Sequence, residues 1–184
     1  MIKVTQIQKL DGVMKNRQIL FSRIPVGAVK PSDFEFRDAG LPAPGGGDVL
    51  IRNIYLSCDP YMRSRMDPSS GYGTYFDLGK VLPARVVGQV HESRNPDFKT
   101  GDFVWGFLGW ELYTLVSSGK GLRIIDPSLG PISHAITVLG MPGRTAEVGI
   151  YDLSNPQPGE TVYVSAACGA VGQVVGQLAK MKGC

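Results

Sequence analysis

Cysteine and histidine are scarce in this 184-residue sequence: three of the first (Cys58, Cys168, Cys184) and two of the second (His91, His134). The cysteines are too few and too widely spaced for a four-cysteine structural zinc site, and an odd number argues against a disulfide framework. Neither histidine stands in a paired metal motif, so surface or satisfied-core roles are expected for both. An excess of one charge is also lacking. Lys and Arg outnumber Asp and Glu by only 19 to 16, and the excess is scattered, which leaves no electrostatic footprint for nucleic acid. No run approaches the ~18 apolar residues of a membrane span, and Met1 to Gln6 lacks a signal-peptide core. Internal repeats and low-complexity tracts are absent. The expectation is a globular cytoplasmic protein with no metal, no membrane and no nucleic-acid partner.

Glycine (24) and proline (13) are plentiful, and the first two-thirds of the chain is strand-rich. Asn16 to Ser22, Phe34 to Arg37, Asp48 to Ser57, Val86 to Val90, Phe103 to Phe107, Tyr113 to Val116 and Leu122 to Ile125 read as short strands separated by turn residues. Such spacing predicts a barrel-like antiparallel fold. Gly45-Gly46-Gly47 is read as a hairpin connection, and Asp67 to Lys80, rich in Gly, Ser and Tyr, as a long mobile loop over a site. From Ser133 the pattern changes. Ala135, Val138 and Leu139, then Thr145, Val148 and Tyr151 to Leu153, read as helical, with Gly140 to Gly143 as a break. The expected fold is therefore mixed α and β: an all-β domain over 1–132 and an α/β part over 133–184.

The final stretch carries the strongest motif. Thr161 to Ser165 reads as a short buried strand launched by Pro158-Gly159. Ala166 to Gly172 follows as a turn of small residues, and Val171, Val174, Val175, Leu178 and Ala179 repeat at helical spacing. Strand, turn and helix make the opening of a dinucleotide-binding βαβ unit. Ala167 stands where the fingerprint's first glycine falls, and Gly169 and Gly172 fill the other two places. Small residues suit close approach of backbone N–H groups to a pyrophosphate and of the helix start to the strand. The acidic or basic residue that reads the ribose 2′ position falls beyond Cys184, so the motif alone leaves NAD and NADP both open.

Three segments then agree: YLSCDPYMRSRM (Tyr55 to Met66), GMPGRTA (Gly140 to Ala146) and VSAACGAVGQVVGQLAKMKG (Val164 to Gly183), with GDFVWG at Gly101 to Gly106 in support. Together they resemble the zinc-independent medium-chain dehydrogenase/reductases, and most of all the NADP-dependent alkenal double-bond reductases, prostaglandin reductases and leukotriene hydroxydehydrogenase. The resemblance implies a GroES-like β-barrel catalytic domain followed by an incomplete Rossmann domain, because a full member is nearly twice this length. Activity of 1–184 on its own is expected to be weak or absent, and the open edge at Thr161 to Ser165 is expected to favour a homodimer.

The same resemblance implies NADPH-dependent reduction of the C=C bond of an enal or enone, through an enolate held by hydrogen-bond donors rather than by a metal. Tyr61 is then the candidate catalytic residue, with its hydroxyl near the substrate carbonyl, and Tyr55 the second, for which core packing is the competing role. Met141, Pro142 and Thr145 are expected beside the nicotinamide, and Ala167, Gly169, Ala170, Val171 and Gly172 at the diphosphate of NADP(H). Zinc-dependent cousins supply a G-H-E motif where this chain reads Leu82 to Gly88, so Cys58 is expected to be a small buried side chain and no metal ligand. Glu147 departs from the family's usual tyrosine, and Arg63 and Arg65 are read as surface charge. The alternatives are a quinone oxidoreductase of the same superfamily and a non-catalytic GroES-like interaction module.

Overall fold

The computed structural model describes residues 1–3, 9–10 and 13–184. Contacts divide the chain into two compact units, Met1–Asp126 and Pro127–Cys184. Every strand pairing in the first unit is antiparallel. In chain order its strands are β1 (Ile2–Lys3), β2 (Lys9–Leu10), β3 (Val13–Phe21), β4 (Phe34–Gly40), β5 (Val49–Leu56), β6 (Pro83–Ser93), β7 (Phe103–Gly109), β8 (Tyr113–Val116) and β9 (Arg123–Ile124). They form a six-stranded sheet in the order β1-β5-β6-β7-β9, with β8 also on β5, and a three-stranded sheet β2-β3-β4. A short helix, α1 (Tyr61–Arg65), follows β5.

Hydrophobicity explains why β5 lies at the centre. Val49, Leu50 and Ile51 are all buried, so alternation gives way to a strand covered on both faces. Its neighbours contribute Val86, Val90, Val104, Leu108 and Val116 to one apolar cluster with Leu56 and Leu122. Gly88 of β6 lets the two strands close. A methyl group there would overlap the Ile51 side chain and stand 2.7 Å from the Arg52 carbonyl oxygen. The β5–β6 register shifts between Asn53 and Tyr55, one position from that contact.

The two sheets are joined by side-chain amides. Asn16, 2 % exposed, donates from Nδ2 to the Tyr113 carbonyl (2.8 Å) and to Glu111 Oε2 (3.0 Å), while its Oδ1 accepts from Tyr113 N–H (2.9 Å). Gln18 donates to the same Glu111 oxygen (2.7 Å). Asn53 donates to the carbonyls of Gly109 and Glu111. Main-chain bonds from Ile19 N–H to Trp110 C=O and from Leu112 N–H to Arg17 C=O complete the seam. Both polar atoms of the Asn16 carboxamide thus meet partners, which avoids the ~1–3 kcal/mol cost of an unpaired buried group.

The second unit is helical: a 3₁₀ turn (Ile132–Ile136), α2 (Met141–Glu147), a π-helical stretch (Val148–Ser154) and α3 (Gly172–Met181). The helix expected through Val138 and Leu139 does not form. The 3₁₀ turn stops at Ile136, and both side chains are exposed. The strand expected at Thr161 to Ser165 is also absent as a paired strand. Its residues are unpaired among the described ones, and Tyr163 is 90 % exposed, because a strand needs a neighbour to satisfy its N–H and C=O groups. Among the described residues no helix is long and apolar enough to cross a membrane.

Two outcomes test these contacts. Gly88→Ala should lose about 1–3 kcal/mol in a urea unfolding titration, because the obstructing Arg52 oxygen belongs to the backbone; an unchanged midpoint would mean that β5 and β6 separate freely. Asp33, just before β4, accepts from Lys30 N–H (2.8 Å) and Arg23 Nε (3.2 Å), and these donors hold its carboxyl below the usual carboxylate range. Its stabilising effect is therefore fully present above that range and is lost only as pH falls below it, through the carboxyl's own depressed value. Asp33→Asn should unfold earlier than the parent at neutral pH, keep that gap down to about pH 4, and converge with the parent only as pH falls further; a gap that stays constant on acidification below this point would contradict the assignment.

Candidate functional site

In the first unit the site is built on α1. Ser57 Oγ donates to Asp59 Oδ2 (2.8 Å), and Met62 N–H donates to the Asp59 carbonyl (3.0 Å), so the chain turns into helix directly after β5. A five-residue helix has no stability of its own. Met62 and Met66, four residues apart, bury against Phe21, Phe76, Leu82 and Ala84, each contributing about 1.5–3 kcal/mol. That anchoring leaves Tyr61 at the cluster's edge, half-buried. Burial pushes its phenol pKa up and the Asp59 carboxylate adds to this, while Arg85 and Arg65 pull the other way. The hydroxyl is accordingly a protonated donor at neutral pH.

Tyr72 stacks on Tyr61, with ring centroids 6.2 Å apart and planes 13° from parallel. Sequence reasoning missed this residue, which stood in a loop read only by composition; its one signal is a glycine on either side, Gly71 and Gly73, both at positive φ. The loop itself is pinned rather than loose. Arg65 Nε donates to the Thr74 carbonyl (3.1 Å), Ser70 Oγ to the Ser64 carbonyl (2.7 Å), and Phe76 is buried. Tyr55, on β5 opposite Lys3 and Val87, is half-buried, and no hydrogen bond or ring contact joins it to Tyr61.

The other first-unit residues divide clearly. Arg63 donates to the carbonyls of Pro25 and Gly27, and the Arg65 guanidinium lies 4.7 Å from the Phe76 ring centre. Both therefore brace loops instead of standing free as surface charge. Cys58 is exposed, contrary to the buried side chain expected, because the chain leaves the sheet at Ser57. Among the described residues, no three His, Cys, Asp or Glu side chains cluster to hold a metal.

In the second unit α2 opens on the GMPG turn. A methyl group on Gly143 would collide with the Val138 carbonyl, and one on Gly140 would lie 2.6 Å from the Ala135 carbonyl oxygen. Both glycines let α2 press onto the segment before it. Pro142 is buried and Met141 half-buried; Thr145 is exposed and spends its hydroxyl on the Met141 carbonyl (2.8 Å). Glu147 is exposed. α2 packs on α3.

The turn before α3 is open. Ser165 to Ala170 are exposed, and Ala166 takes φ 50°. Gly169 N–H donates to the Ala166 carbonyl (2.8 Å), and Gln173 N–H to the Gly169 carbonyl (3.1 Å). Gly172 is buried, and a methyl group there would stand 2.5 Å from the Ala166 oxygen, so glycine is what lets the helix start lie on the turn. The N–H groups of Ala170 and Val171 find no acceptor among the described residues, and they lie at the positive end of α3.

Comparison with known proteins follows this geometry. Residues 17–125 match the family described as the N-terminal domain of oxidoreductase. The chain is 45 % identical over 175 residues to 2-alkenal reductase (NADP(+)-dependent) from Nicotiana tabacum, covering 93 % of this chain and 51 % of that protein. It is 42 % identical over 170 residues to NADPH-dependent curcumin reductase of Escherichia coli (strain K12), covering 92 % and 49 %. The crystal structure of CurA from Vibrio vulnificus in complex with NADPH aligns with a TM-score of 0.82 at 40 % identity, over 91 % of this chain and 50 % of that one. The chain thus spans about half the length of these relatives. With more than half of its length matched by the N-terminal domain of oxidoreductase, and these relatives beside it, the chain belongs to that family and to the zinc-independent medium-chain dehydrogenase/reductase superfamily.

Proposed function

We propose that this chain is the N-terminal half of an NADPH-dependent reductase of the C=C bond of α,β-unsaturated aldehydes and ketones. The observation that carries the reading is a protonated, half-buried Tyr61 beside an apolar cluster, within a chain whose similar proteins are named as alkenal and curcumin reductases. Tyr61 donates its hydroxyl to the substrate carbonyl oxygen, where negative charge grows as the enolate forms. Tyr55 is the secondary candidate, held on a rigid central strand. The proton that completes reduction arrives at the α-carbon.

NADPH, when bound, supplies the hydride. The residues present fit it. Ala167, Gly169 and Gly172 keep the turn low, while Ala170 and Val171 offer unpaired N–H groups to a diphosphate. Met141 and Pro142 form the wall at the nicotinamide end; Thr145, its hydroxyl engaged within α2, acts there through shape. This reading makes Thr161–Ser165 the first strand of a Rossmann domain and the first unit a GroES-like barrel. A homodimer covering the extended segment, in the cytoplasm, belongs to the same reading.

Titrating NADPH with the chain should change the cofactor's fluorescence. A folded chain that leaves that signal untouched would instead be a non-catalytic module. In a protein that joins this half to a complete nucleotide-binding half, Tyr61→Phe should lower kcat with an enal by about 10²-fold or more, with NADPH affinity within about twofold. Turnover equal to the parent would return Tyr61 to a packing role.

A further inference from the structure

β4 is a sheet edge. Among the described residues it pairs only with β3, in an uninterrupted register that runs from Lys15 opposite Gly40 to Phe21 opposite Phe34. Its other side offers N–H and C=O groups to any strand laid along it. Glu35 to Asp38 are all exposed, and Phe36 is 66 % exposed. Such an edge is commonly guarded by a proline, a bulge or lysines; β4 has none of these. Its charges are of both signs. Glu35 and Arg37 share one face, where Arg37 Nε donates to Glu35 Oε1 (3.1 Å). Asp38 lies on the other face with Phe34 and Phe36, and Arg17 holds its carboxylate with two bonds (2.8 and 3.0 Å). On that face Phe36 lines an apolar cavity of about 140 Å³ with Ile19, Leu56 and Leu112.

These charges select a register. A two-fold axis through the sheet pairs residues of the same face, so two antiparallel copies of β4 centre on one residue. Centred on Glu35, Arg37 or Asp38, the pair sets like charges opposite each other on the axis. Centred on Phe36, it sets Glu35 of each copy opposite Arg37 of the other, which closes a ring of four alternating charges. The two Phe36 rings then meet on the axis, and each Asp38, already held by Arg17, falls opposite Phe34. Opposite charges and aromatic pairs across strands stabilise, whereas like charges destabilise. We propose that β4 is a self-recognition edge whose partner is β4 of a second copy of this chain, antiparallel and centred on Phe36, so that two three-stranded sheets become one continuous sheet. This surface belongs to the first unit and is separate from the extended segment at Thr161 to Ser165.

Charge reversal tests this by sedimentation velocity, with a thermal melt of each variant. The parent chain should dimerise with rising concentration, at or below about 1 mM. Arg37→Glu and Glu35→Arg should each weaken dimerisation about tenfold or more, because each turns both cross-strand ion pairs into like-charge pairs. Mixed in equal amounts, the two variants should associate again, since one edge is then acidic and the other basic. Each reversal moves the net charge of +3 by two, so both variants stay positive and their attraction is local to the edge. In a chain whose three cysteines are serine, Phe36→Cys should form a disulfide-linked dimer, because opposing Cα atoms lie about 4.5–5.5 Å apart. Asp38→Cys, about 14 Å from its copy in this register, should not. A parent that stays monomeric, association that the reversals leave unchanged, or a mixture no tighter than its separate components would overturn the proposal. Should a reversal fail to fold, the cysteine variants decide alone, and equal cross-linking in both, or none in either, would overturn it.

Discussion

The contact on which the first unit depends is the pair of bonds between the Asn16 carboxamide and the backbone of Tyr113. A carboxamide has one acceptor and two donors, and here Oδ1 takes the Tyr113 N–H while Nδ2 serves the Tyr113 carbonyl and Glu111. No apolar side chain could replace it without stranding a buried N–H and C=O. The bonds set the register of β3 against the segment 109–113. That segment in turn is held by Asn53 of β5 and by the bond from Trp110 N–H to Leu82 C=O. Three parts of the first unit are thereby tied to one stretch of five residues.

The consequence for the site runs along β3. With Asn16 fixed, Phe21 falls five residues on, at the strand's end and inside the cluster that receives Met62 and Met66. Those methionines hold α1, and α1 holds Tyr61. Main-chain bonds between Phe21 and Lys80 and between Gly79 and Phe21 bring the end of the Tyr72 loop to the same strand. The seam at Asn16 and the aromatic pair at Tyr61 and Tyr72 are thus two ends of one mechanical chain. Where the backbone comes closest, glycine is required: Gly88 between strands, Gly143 under α2 and Gly172 at the start of α3.

Much of this was legible in the residues. β-branched and aromatic runs marked five strands of the six-stranded sheet, all but the two-residue β1, since burial on a pleated surface is what such residues satisfy. Tyr113 to Val116 matches β8 residue for residue, and Asp48 to Ser57 brackets β5 by one residue at each end. The strand at Thr161 to Ser165 failed for a reason local pattern cannot hold: its apolar alternation is real, with Val162 and Val164 less exposed than their neighbours, but pairing depends on another segment. Cys58 failed because burial was inferred from the strand before it, which ends two residues earlier. At the candidate site, Tyr61 was singled out from a segment shared with a family. Tyr72 was not, because stacking between residues eleven apart depends on a loop path set by Gly71, Gly73 and the grip of Arg65.

Amide hydrogen exchange in Asn16→Asp tests the dependence of the site on the seam most directly. The aspartate keeps the volume, loses the donor, and places a carboxylate against Glu111 and the Tyr113 carbonyl. The account predicts a joint loss of protection at Tyr113, along β3 to Phe21, and at Met66 in α1, with the amides between Val86 and Val90 least affected. Unchanged protection at Met66 while Tyr113 opens would contradict it, since α1 and Tyr61 would then be held without the seam.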